Sequence, residues 1–145
     1  MKAALCLLAL ALGLLPGSRA HADEPPFIAS LSCPPATGPG RILCELTARA
    51  TRGKLVWSDA LVVRAPVFAR PLRSRLVAEL GAAAAPGGAW TKLALVASGE
   101  GEGKLELLAR GVICHEGSAG ESCAAVLAPI AVEIRVGSPA PRAPD

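Results

Sequence analysis

The chain has 145 residues, 52% of them apolar and only 3% aromatic, with a formal net charge of +3. This length suits a single domain and is short for two. Without Lys2 and Arg19, which lie in the first 22 residues, 13 basic residues face 12 acidic ones; a chain this close to neutral lacks the long-range field that gathers nucleic acid or anionic lipid.

The leader comes first. Lys2 supplies a positive start, Ala3 to Leu15 form an apolar run, and Ala20-His21-Ala22 places small residues at −3 and −1 of a cleavage site before Asp23. The apolar run is shorter than the ~20 residues of a transmembrane helix, so it predicts a removable secretory signal over 1–22 and no stable membrane anchor after cleavage. Cys6 is lost with it. The destination is then the periplasm or the medium, and the abundance of Ala, Gly, Pro and Arg reads as a GC-rich bacterial genome.

Four cysteines remain: Cys33, Cys44, Cys114 and Cys123. An even count in an exported chain reads as disulfides. Local geometry favours Cys33 with Cys44 and Cys114 with Cys123, each pair flanking a turn-rich segment; a long-range Cys44–Cys114 bridge is the alternative. Neither pair has zinc-knuckle spacing, and no metal site is predicted.

The following segments are short, alternating and separated by Gly and Pro. Ile42, Cys44, Leu46 and Ala48 share one face of a half-buried strand. Leu55 to Trp57 and Leu61 to Val63 follow, with Ser58-Asp59 between them as a bend or bulge. Leu72, Ser74, Leu76, Ala78 and Leu80 alternate again. Trp90 to Ala97 is a strand, 98–103 a Gly-rich hairpin loop, Lys104 to Cys114 a strand, and Ile130 to Val136 the last one. Trp57 and Trp90 are the expected core anchors. The Pro-rich segment 137–145 reads as a disordered tail.

Few residues carry chemistry. Arg64, Arg70, Arg73 and Arg75 form the densest basic cluster. They are a candidate surface for an anionic glycan, a lipid headgroup or an acidic protein partner; the alternative is solvated strand positions that discourage aggregation. His115 is the only histidine past the leader, and Ser122 lacks the final glycine of a nucleophile elbow. No catalytic residue and no cofactor are predicted.

The stretch from Lys104 to Val136, a strand, Cys114, a polar loop, Cys123 and another strand, resembles the amino-terminal immunoglobulin-like domains of the periplasmic thiol:disulfide interchange proteins. That resemblance implies an immunoglobulin-like fold. It also implies that Cys114 and Cys123 form a redox-active pair, in which a neighbouring His115 would favour the thiolate. The strand spacing predicts an all-β sandwich of seven to eight short antiparallel strands over 23–136. The function expected is that of a non-enzymatic binding or structural module stapled by two local disulfides, with thiol–disulfide exchange as the alternative.

Overall fold

The computed structural model describes residues 24–82 and 85–137; the predicted leader, its cleavage site at Ala22–Asp23 and the predicted tail beyond Gly137 lie outside them. Among the described residues there are nine strands and no helix. They are β1 (Phe27–Ser32), β2 (Gly40–Ala50), β3 (Lys54–Arg64), β4 (Ala69–Pro71), β5 (Arg75–Val77), β6 (Glu79–Leu80), β7 (Ala89–Ala97), β8 (Gly101–Gly117) and β9 (Gly120–Val136). All pair antiparallel, in two sheets. One runs β1-β2-β7-β4, with β6 also on β7; the other runs β5-β3-β8-β9.

Period-two alternation builds the interior. Phe27, Leu31, Ile42, Cys44, Leu46, Leu93 and Leu95 of the first sheet join Leu55, Leu76, Leu105, Leu107, Ile113, Ile130 and Ile134 of the second in one buried cluster. Each fully buried aliphatic side chain contributes roughly 1.5–3 kcal/mol. Gly111 faces this core because Phe27 packs where a Cβ would stand, 3.1 Å from its ring. The β1–β2 loop ties the sheets together, with Ala36 N–H donating to the Arg135 carbonyl (3.3 Å) and Gly137 N–H to the Ala36 carbonyl (2.8 Å).

Several expectations are corrected. The strands number nine, and β8 and β9 run for 17 residues each, so they are not uniformly short. Segments 55–57 and 61–63 are one strand, β3, with irregularities between Leu55 and Trp57 and between Val62 and Arg64. The Ser58-Asp59 pair that resembled a bend is buried inside it. The predicted loop 98–103 shrinks, because β8 already begins at Gly101 and Glu102 pairs with Arg135 at 2.7 Å. The predicted loop after Cys114 is two strand extensions joined at Ser118-Ala119.

Both tryptophans lie outside the core. Trp57 is 37% exposed, and Trp90 is half-buried and absent from the buried cluster. The bulge after Leu55 turns Trp57 outward opposite Val112, and the parity of β7 turns Trp90 away from Leu93 and Leu95.

Candidate functional site

The way the chain changes sheets creates the site. On the edge of β7, β4 pairs with residues 95–97 and β6 with residues 89–90. Between them the chain leaves the first sheet after Leu72, forms β5 on β3 in the second, and returns. The notch left at this crossing is a cleft of about 410 Å³. Arg41, Arg73, Arg75 and Lys92 line it, with Leu43, Leu72, Leu76, Val77, Thr91 and Ala94, and no carboxylate does.

Strand register places these side chains. Arg41 lies across from Val96, which lies across from Arg70; one step along, Leu43 faces Ala94, whose carbonyl accepts the Leu72 N–H at 2.9 Å. The next pair is Glu45 and Lys92. Cations and exposed aliphatics therefore share the outer face of the first sheet, where Leu72 is 59% exposed and Leu43 and Val96 are each 41% exposed. Among the described residues, Arg41, Arg70 and Arg73 make no ion pair.

Arg75 is held differently. Its Nε donates to Asp59 Oδ2 at 2.7 Å, while Arg110 grips the same carboxylate through Nε to Oδ1 (2.7 Å) and Nη2 to Oδ2 (2.5 Å). Asp59 is fully buried beneath the two guanidiniums. The hydrogen bond from Arg110 holds its carboxyl below the ordinary carboxylate range; burial opposes this, and Arg75 reinforces it. The Arg110 guanidinium is raised in turn by Asp59 and sits 5.7 Å from the Trp57 ring centroid. One carboxylate thus fixes two guanidiniums, and Arg75 remains half-exposed at the cleft wall.

Of the four arginines singled out in the sequence, the fold brings Arg73 and Arg75 into the cleft and Arg70 onto the adjoining sheet face. Arg64 lies apart, 3.9 Å from Glu106 on the second sheet. Arg41 and Lys92 were missed. Each is a single charge in an alternating strand, and only the β2–β7 pairing brings them together.

Both disulfides are formed as the local pairing predicts, Cys33–Cys44 and Cys114–Cys123, with Cα separations of 4.2 and 4.0 Å. Structural disulfides of this kind belong to an oxidising compartment. Cys114 and Cys123 sit directly opposite each other in the β8–β9 ladder, near its exposed end. Cys114 is buried and Cys123 exposed. The Glu121 carboxylate lies within 4.8 Å of both sulfurs, and a neighbouring negative charge disfavours a thiolate. His115 takes the opposite face of β8 from Cys114, because successive strand residues alternate. There its imidazole lies against Gly53, where a Cβ would come within 2.6 Å of it.

Comparison with protein-family models, curated proteins and solved structures finds no match. Over the described residues, fold and site together define a class: an all-β protein of two antiparallel sheets, stapled by two disulfides and carrying a cationic cleft.

Proposed function

We propose that this chain is an exported, non-enzymatic binding module that engages an anionic ligand through the cleft lined by Arg41, Arg73, Arg75 and Lys92. The observation that carries the reading is the convergence of four cations on one concavity that no carboxylate lines. A ligand with negative charge and some apolar surface complements it, because the guanidiniums supply fork-like donors and Leu43, Leu72 and Ala94 supply the floor. The buried Asp59 keeps Arg75 in place. We further infer an immunoglobulin-like sandwich for the two sheets, and a secretory leader that delivers the chain to the periplasm or medium.

The test is retention on immobilised heparin, used as a generic polyanion, against a salt gradient. The wild-type chain is expected to bind and to elute with salt. Arg41→Glu with Arg73→Glu should flow through, while the charge-matched control Arg49→Glu with Lys54→Glu, outside the cleft, should still bind. Equal loss in both variants would refute a localised site. Arg75 is left intact because its removal would also disturb Asp59.

A second reading, thiol–disulfide exchange through Cys114 and Cys123, is favoured by the exposure of Cys123. Alkylation across glutathione buffers tests it. Opening of that bridge alone above about −250 mV supports exchange, whereas closure below about −300 mV leaves both bridges structural.

A further inference from the structure

We propose that the cationic sheet face docks on the surface of an anionic phospholipid bilayer, with the cleft seating a lipid phosphate. This rests on the anion-binding reading of the cleft and commits that reading to one source of the anion.

Two cross-strand rows on the outer face of the first sheet carry the argument. The first is Arg41–Val96–Arg70; the second is Leu43–Ala94–Leu72, about 7 Å further along the strands. Arg73 and Arg75 border them from the crossing segment, and Lys92 closes the far side of the cleft. The rows thus set aliphatic side chains that protrude into solvent among five cations. Glu45, opposite Lys92, and Glu79, opposite Trp90, are the carboxylates that the strand register places beside them.

The pattern matches what a lipid interface demands. Cations near an anionic surface each add attraction, and aliphatic side chains between them enter the boundary between headgroups and acyl chains. A fluid interface takes protruding Leu and Val without shaped complementarity. A specific protein partner is more often met by a buried core of aromatic residues and Met, and none of those lines this cleft. The phosphate then sits among Arg41, Arg73 and Arg75 while Leu43, Leu72 and Val96 flank it.

The near-neutral total charge had argued against attraction to anionic lipid. It misleads because it sums over both sheets: Glu45 and Glu79 offset only part of this face, while Glu102 and Glu106 pair with Arg135 and Arg64 on the second sheet. A local field needs only a local excess.

The experiment is vesicle flotation of the leader-free chain. It uses phosphatidylcholine vesicles with and without 30% phosphatidylglycerol (roughly the range in which surface charge dominates), and soluble glycerol phosphate as competitor. The chain is expected to float with the anionic vesicles only, and glycerol phosphate at millimolar concentration should not release it. Arg41→Glu with Arg73→Glu should lower partitioning by at least ~100-fold. Leu43→Ser with Leu72→Ser should lower it by at least ~30-fold while leaving heparin retention intact.

Failure to float with anionic vesicles, while heparin still binds, would overturn the lipid proposal and leave the anion-binding reading standing. So would flotation unchanged by the Leu→Ser pair, which would mark mere charge attraction. Release by glycerol phosphate would replace the bilayer with a small phosphorylated ligand. Absence of both heparin and vesicle binding would sink the two readings together. Circular dichroism of each variant confirms that the comparison is between folded chains.

Discussion

Replacing Asp59 with Asn removes the charge that two guanidiniums share and keeps the side-chain volume. The wild-type carboxylate accepts three hydrogen bonds from cationic donors, at 2.5 to 2.7 Å. Leaving a buried charged hydrogen bond unmade costs about 1.5–3 kcal/mol, and breaking a buried ion pair from one side costs about 3–5 kcal/mol. The two guanidiniums are not themselves buried: Arg75 and Arg110 side chains are 56% and 33% exposed, so both regain water once released. That discount brings the expected loss to about 3 kcal/mol. For a domain of this size it corresponds to a fall in Tm of about 12 °C.

The pH dependence carries its own sign. The folded Asp59 carboxyl is held below its unfolded value, chiefly by the Arg110 hydrogen bond. Its stabilisation is therefore complete above the unfolded value of about 4 and fades as pH falls through the folded one. The gap between wild type and Asp59→Asn, followed by thermal melts with far-ultraviolet circular dichroism, should be widest at pH 7 and narrow toward pH 2.5. A fall in Tm below about 2 °C at pH 7, or a gap that stays constant into acid, would refute the argument that Asp59 is a stabilising anion.

Four further outcomes are expected. Gly53→Ala should cost about 2 kcal/mol or more in urea unfolding: Gly53 has φ +78°, and a Cβ there would meet the Cys114 carbonyl at 2.7 Å. Equal stability of the variant and wild type would show that the β2–β3 turn can relax. Removing the Cys33–Cys44 bridge by paired Cys→Ala substitution should cost about 3 kcal/mol in the same assay, because it closes an 11-residue separation against a core cysteine. Removing Cys114–Cys123 should cost less, since the exposed hairpin end beyond it can fray without opening the core; a larger cost than for Cys33–Cys44 would contradict this. Gly111→Ala should lower Tm by forcing Leu55 and Phe27 from their places, and an unchanged Tm would show that these side chains have room to move.

The parts of the fold that local chemistry specifies were legible in the residues. Alternation in Ile42 to Ala48 and in Leu93 and Leu95 named the buried faces, because a strand's period of two is a property of its own backbone. The disulfide pairing was legible for the same reason: Cys33 with Cys44 and Cys114 with Cys123 are near in sequence, across turn-forming residues. Strand limits were less so. Polar residues at the exposed end of the β8–β9 hairpin resemble a loop, yet the ladder continues to Gly117 and Gly120.

What sequence by itself determined is the class of molecule: an all-β chain with four paired cysteines, and a basic segment around Arg70 to Arg75. Only the tertiary structure decided what that segment does. Ser58 and Asp59 looked like a break in the chain because their partner, Arg110, lies 51 residues from Asp59. Once β3 pairs with β8, the Ser58 hydroxyl donates to the Arg110 carbonyl and the carboxylate takes the Arg110 guanidinium, so the polar pair is buried at little cost. Arg41 and Lys92 likewise meet Arg73 and Arg75 only when β2 joins β7 and the chain crosses between sheets. Backbone periodicity acts over a few residues and can be read locally, whereas a charge cluster is set by long-range strand pairing, which no local pattern encodes.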